Sequence, residues 1–238
     1  MSRFLRHEQC PRCAARGADR RGNNLGTYSD GSKFCFSCGY REQPTFKATF
    51  QARMNEGKYD GKKTVLPSDF QREVPAECWK WLLKYGLSYS YWQAYCGYSQ
   101  KDNRLIFPIG NPARFACGRG FNVVESKWKV YGDKSSFVEV VGEQLSGEII
   151  LVEDIVSAHK VAQVATSIPL FGTSINDNVV KKLLQLNRPV GLWLDNDQYG
   201  LLARKIGRLQ ALLGVPVRHI RTDKDPKEYS TLEIKEII

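Results

Sequence analysis

Three short apolar runs near the C-terminal end, Ile149–Val152, Ile168–Phe171 and Val190–Leu194, are separated by segments whose apolar residues recur at helical spacing. Ala158, Val161, Ala162 and Ala165 share one face of the first segment. The next runs through Leu186 and can be capped by Asn176 or Asp177, and Leu202, Ile206, Leu209 and Leu213 line the third, which Gly214 closes. Val215–Ile220 reads as a last strand. Such alternation predicts a parallel sheet with helices on its faces, because parallel neighbours need a crossover connection. In open sheets of this kind, ligands bind beyond the carboxyl ends of the strands. The first run stops at Glu153 and the third at Asp195-Asn196-Asp197, while Asp223, Asp225 and Glu228 follow the last strand. An isolated Asp-x-Asp is often a solvated turn. A Glu and an Asp-x-Asp at two strand ends form a set of oxygen donors suited to Mg²⁺ or Mn²⁺. The chemistry indicated is phosphoryl or nucleotidyl transfer, or phosphodiester cleavage.

The opposite end of the chain is organised by cysteine. Cys10-Pro-Arg-Cys13 and Cys35-Phe-Ser-Cys38 form two C-x2-C turns with 21 residues between them. Each turn aims two thiolates at one point, and together they complete a tetrahedral sulfur shell for one structural Zn²⁺. His7 lies nearby but is not needed as a ligand, and Cys78, Cys96 and Cys117 have no partner at ligand spacing. Gly26–Ser29 and Lys33–Phe36 flank Asp30-Gly31, a hairpin signal, so the module is expected to be a small β ribbon. Among Tyr28, Phe34 and Phe36, at least one is expected in its core, while stacking on bases is the functional alternative.

The net charge of +10 is unevenly spread. Residues 1–63 hold 13 Lys/Arg against 6 Asp/Glu, whereas residues 64–145 balance at +2 and 146–238 at +1. A basic N-terminal third points to a polyanionic partner, with a merely basic solvated surface as the alternative. Periodicity is lost from about Arg41 to Lys63, which reads as a linker. No apolar run approaches the roughly 20 residues of a membrane helix. The N-terminus has no signal-peptide pattern. The expectation is a soluble, cytoplasmic protein with no membrane partner.

Between linker and parallel sheet, Trp79, Leu82 and Leu83 share a helix face ended by Gly86, and a second helical piece surrounds Tyr91–Tyr95. Strands are expected at Arg104–Ile109, Arg114–Cys117 and Lys127–Tyr131. Arg104, Arg119, Lys127, Lys129 and Lys134 punctuate them, either as exposed strand faces or as a ridge that holds phosphate.

Taken together, these motifs resemble the bacterial-type and phage primases. Leu-Val-Glu153, Phe-Gly172-Thr173-Ser174, Leu-Asp195-Asn-Asp197-x-x-Gly200 and Lys224-Asp225-Pro226 are similar to a TOPRIM domain. Trp81-Leu-Leu-Lys-Tyr-Gly-Leu-Ser88, Arg104–Ile109, Gly118-Arg119-Gly-Phe121 and Lys127–Tyr131 resemble the upstream half of the primase polymerase core. The cysteine pairs with Ser29-Asp30-Gly31-x-x-Phe34 resemble the zinc-binding domain of phage primase–helicases. The resemblance implies a multidomain protein. A β zinc ribbon over 1–42 and a basic flexible linker over 43–66 precede an α/β core, made of an N-terminal subdomain over 67–145 and a TOPRIM subdomain over 146–238.

What the family implies is a DNA-dependent RNA polymerase that makes short primers from ribonucleoside triphosphates on single-stranded DNA. Glu153, Asp195 and Asp197 would be catalytic and hold one or two Mg²⁺ or Mn²⁺, with Asp225 and Glu228 assisting from the outer shell. Arg104, Arg119, Lys127 and Lys129 would hold template or triphosphate. The ribbon, through residues such as Asp30, would read the template. A DNA polymerase would take over the primer. No Gly-x-x-x-x-Gly-Lys-Ser/Thr loop occurs in the chain, so the replicative helicase is expected as a separate polypeptide. The chain departs from the family at Asp154, where Gly is usual, at Ser157, where an acid is common, and at Ser32, where some phage relatives carry His. Two rival readings share parts of the pattern: a non-enzymatic zinc/TOPRIM recombination mediator of the RecR type, and a TOPRIM nuclease.

Overall fold

The computed structural model describes residues 4–28, 32–42, 66–121, 126–194 and 199–238, with 199–204 described as helix backbone. The chain forms two compact units, Met1–Tyr59 and Asp60–Ile238. Among the described residues, no helix is long and apolar enough to cross a membrane.

The first unit is an antiparallel sheet of β1 (Phe4–Glu8), β2 (Leu25–Tyr28), β3 (Lys33–Cys35) and β4 (Arg41–Glu42), in sequence order, with a single helical turn α1 (Pro11–Ala14) after β1. Pro11 starts that turn because its missing N–H is not needed there. The β2–β3 pairing matches the expected ribbon, while Asp30 and Gly31 lie outside the described residues. The interior consists of Cys10, Cys13, Cys35 and Leu25, with Cys38 and Tyr40 packed against it. None of Tyr28, Phe34 and Phe36 belongs to this core, contrary to expectation, and Phe36 is 61% exposed. Four sulfurs and one leucine already fill so small an interior. The rings lie against the sheet surface instead. A Cβ at Gly26 would come within 2.9 Å of the Phe36 ring, so this glycine allows the ring to approach the strand closely.

The second unit opens with α2 (Ala76–Leu83) and α3 (Tyr89–Trp92). An antiparallel sheet follows, built from β5 (Gly97–Ser99), β6 (Arg104–Ile109), β7 (Phe115–Gly120) and β8 (Trp128–Tyr131) in that order. The remainder is the expected alternation: β9 (Ile149–Val152), α4 (Ile155–Val161), β10 (Thr166–Pro169), α5 (Asp177–Leu186), β11 (Val190–Trp193), α6 (Tyr199–Leu213), β12 (Val217–His219) and α7 (Thr231–Ile237). These strands form one parallel sheet in the order β10-β9-β11-β12. Both central strands are buried throughout, as continuous apolar runs in a covered parallel sheet should be.

Strand β10 begins two residues earlier than the apolar run. Its Thr166 hydroxyl donates to the carbonyls of Gly142 and Leu145, and the Ser167 hydroxyl donates to that of Ile150. A polar pair so satisfied can be buried. Phe171, assigned to the strand by apolarity, instead takes φ = +52° just beyond it. The cap of α5 is Asn176, whose side chain accepts from the Val179 amide.

His159 of α4 is buried among aromatic residues. Its Nδ1 lies 2.7 Å from the Tyr91 hydroxyl, and its ring packs on Trp92 and Tyr95. Burial lowers its pKa to about 4. The unfolded chain therefore binds this proton at higher pH than the native state. The resulting stability is complete above pH 6.5 and is lost as pH falls toward 4, with a slope of up to about 1.4 kcal/mol per pH unit. Urea unfolding between pH 7 and pH 4 should show this loss. It should be smaller in His159→Gln, which has no titrating ring.

Candidate functional site

Among the described residues, one group of side chains converges with metal-ligand geometry: the Sγ atoms of Cys10, Cys13, Cys35 and Cys38 lie within 4.8 Å of one another. Cys10–Cys38 and Cys13–Cys35 sulfurs are 3.6 Å apart. Pro11 and the α1 turn aim the first pair, and the turn after β3 aims the second, with the Cys38 amide donating to Cys35 Sγ at 3.4 Å. The buried Asp19 carboxylate accepts from the Cys10 amide at 2.7 Å and from the amides of Asn23 and Asn24, which ties the first pair to the following loop. Burial pushes the Cys13 thiol up to about 12. Such sulfurs are held as thiolates when a cation neutralises them. Four soft donors with no open position fit a structural zinc. Cys78, Cys96 and Cys117 are buried in the second unit and stand apart from this group. His7 packs on Phe4 in β1 and is not one of the group.

The second unit contains a cavity of about 470 Å³ between the end of β9 and the antiparallel sheet. Glu153, Arg119, Lys127, Asp225 and Glu228, all expected site residues, line it. The cavity also brings in Trp81, Lys84, Trp128, Asp154 and Lys227, which sequence reasoning did not assign to the site. Trp81 and Trp128 were legible only as members of motifs.

Arg119 is the best-defined basic group. Its guanidinium stands over the Trp81 ring at 5.3 Å and the Trp128 ring at 5.6 Å, and burial lowers its pKa. Its buried Nε has no hydrogen-bond partner among the described residues. A guanidinium packed against two indoles at a cavity wall is a cation suited to an anionic oxygen.

Two other expected ridge residues are placed differently. Arg104 is buried, and its guanidinium donates to the carbonyls of Gly118, Ser126 and Lys127. It ties β6 to the β7–β8 connection and is not an exposed ridge residue. Lys129 pairs with Asp102 at 3.0 Å and lies over Tyr131. Strand alternation explains this: Trp128 and Val130 line the cavity, so Lys129 points to the other face.

The turn after β9 accounts for two of the three departures, Asp154 and Ser157. Asp154 caps α4, with Oδ1 accepting from the amides of Val156 and Ser157 at 2.9 and 3.0 Å. The Ser157 hydroxyl donates to Asp154 Oδ2 at 3.0 Å. Lys227, on the 3-10 turn Pro226–Glu228, donates to Asp154 Oδ2 at 2.9 Å and to Asp225 Oδ2 at 2.6 Å. Burial acts to lower the Lys227 pKa, but the two carboxylates outweigh it and raise it above the ordinary lysine value. Asp195 and Asp197, expected to share the site with Glu153, lie outside the described residues, as does Asp30.

No protein-family model matches the sequence, and no curated protein does. Solved structures do. The Aquifex aeolicus primase, as its zinc-binding and RNA polymerase domains, superposes with a TM-score of 0.57 over 90% of this chain and 74% of its own, at 17% identity. The chain has a primase fold. A DnaG primase catalytic domain bound to single-stranded DNA matches at TM-score 0.51 over 70% of this chain and 72% of that one, with 18% identity. A DnaG catalytic core matches at 0.52 over 68% and 69%, with 17% identity. At such identities the likeness describes this primase-like fold.

The zinc assignment is directly measurable. The purified chain should contain one zinc per molecule by atomic emission. Cys38→Ser, which removes one of four sulfurs, should lose it to a chelator at least tenfold faster.

Proposed function

We propose that this chain is a DNA primase, which makes short RNA primers on single-stranded DNA by nucleotidyl transfer. The observation that carries the reading is Arg119, whose guanidinium packs against two indoles in the cavity that Glu153 enters from the end of β9. Residues 146–238 act in this reading as a TOPRIM subdomain and 67–145 as the N-terminal subdomain of the polymerase core. The linker over 43–66 joins them to the zinc ribbon.

Oxygen donors at the end of a parallel strand fit Mg²⁺ or Mn²⁺. Glu153 would hold the ion together with Asp195 and Asp197, which follow β11 in the sequence; β11 pairs with β9 so that Trp193 lies opposite Val152. Such an ion supplies activation of a hydroxyl and neutralisation of phosphate charge. The chain's own residues do the rest. Arg119 donates to a triphosphate or template phosphate oxygen. Lys127 and Lys84 add positive potential at the cavity wall. Trp81 and Trp128 keep Arg119 oriented and its surroundings dry, which strengthens its interaction with the developing charge. The ribbon, with Phe34 and Phe36 on its surface and Arg41 over the Phe34 ring at 5.2 Å, offers aromatic and basic groups to unpaired template bases. Ser32 in place of the relatives' His fits a different template trigger. The helicase and the DNA polymerase that takes the primer act as separate chains, in the cytoplasm of the cell, or of the host if the protein is phage-encoded.

The test uses a single-stranded template library with labelled ribonucleotides and Mg²⁺. Short RNA should form, and Arg119→Ala should reduce it on the order of 10²-fold, with partial recovery in Arg119→Lys. Asp195→Ala should abolish it. DNA binding without synthesis would support the recombination-mediator reading, and template degradation would support a nuclease. A second measurement concerns the ribbon. Cys35→Ser should impair template-directed initiation more than extension of a supplied primer, and equal loss of both would refute the division of labour.

A further inference from the structure

The carboxylates around the cavity are not equivalent, and the difference is a lysine. Asp154 makes four hydrogen bonds: two amides on Oδ1, and the Ser157 hydroxyl and Lys227 Nζ on Oδ2. A carboxylate offers about four lone-pair sites. Asp154 is therefore saturated by its own chain. Asp225 gives its Oδ2 to the same ammonium at 2.6 Å. Lys227 does not reach the site by chance of a long surface side chain. It follows buried Pro226 in the 3-10 turn packed against α4, and its side chain is 14% exposed. A positive charge thus already stands where the turn after β9 faces the turn after β12.

We propose that the Lys227 ammonium is a built-in monovalent cation that withdraws Asp154 and Asp225 from metal coordination and limits this centre to one divalent ion, held on the Glu153 side. The inference rests on the nucleotidyl-transfer reading above. Lys227 is a positioning residue: it fixes which acids remain for the ion and does not itself touch the reacting atoms. The closely paired ammonium repels a second divalent cation and already takes Asp154 Oδ2 and Asp225 Oδ2 on that side. In Lys227→Met the hydrophobic stem is kept and the charge removed, which releases Asp225 as an oxygen donor.

The test counts Mn²⁺ bound to the zinc-loaded full chain, from the free-ion signal in electron paramagnetic resonance. One Mn²⁺ is expected for the wild type and for Lys227→Arg, two for Lys227→Met, and one again for the Asp225→Asn/Lys227→Met pair. Two ions in the wild type, or one in folded Lys227→Met, would overturn the proposal. Asp225→Asn alone decides the matter should Lys227→Met fail to fold. Its Mn²⁺ affinity should stay within about threefold of wild type, and a loss beyond tenfold would make Asp225 a ligand and overturn the proposal. No Mn²⁺ bound by the wild type would remove the metal-centre reading itself, an outcome distinct from the wrong stoichiometry.

Discussion

Everything at the cavity depends on the way β9 ends. The strand is hydrogen-bonded on both edges, to β10 and β11, and is buried along its whole length. Its last residue is thus held from both sides, and Glu153 follows directly from that paired backbone. The chain then has to turn into α4, whose first amides have no partners within the helix. Asp154 supplies them. The same carboxylate receives Lys227, so one side chain closes the strand, opens the helix and anchors the turn that carries Asp225. The Gly172 amide donates to the Glu153 carbonyl at 3.0 Å, which brings the loop after β10 to the same point.

Much of this was legible as pattern. Apolar runs followed by helical spacing identified β9, β11 and the helices between them. The cysteine spacing identified a sulfur site whose four atoms meet in the structure. What pattern missed is what depends on partners distant in sequence. β5 is a buried strand that contains Ser99, tolerated because its hydroxyl donates to Asp69 at 2.8 Å. β1 is Phe-Leu-Arg-His-Glu, mostly exposed, and is a strand because it pairs with β2. The helix α7 had a readable signal that went unused: Ser230 and Glu233 form a capping box.

The basic residues teach the same lesson in reverse. Arg104, Arg119, Lys127 and Lys129 look alike in sequence, each at or near a strand end. Backbone carbonyls claim Arg104, Asp102 claims Lys129, and two indoles orient Arg119 into the cavity. Charge and position alone cannot separate these fates, because they are set by which face of the sheet each residue occupies and by what the neighbouring strand offers. The family pattern at Asp154 and Ser157 follows suit. Two substitutions that look like separate departures form one hydrogen-bonded unit.

The indole pair has an optical consequence. The chain has five tryptophans, and two of them, Trp81 and Trp128, pack against the Arg119 guanidinium at the cavity wall. Indole emission responds to nearby charge and to the exclusion of water. An anion that draws Arg119 away from these rings alters the environment of both at once. The cavity thereby carries its own chromophores, and its occupancy can be followed in the unlabelled protein, at equilibrium or in a rapid mixer, without waiting for a product.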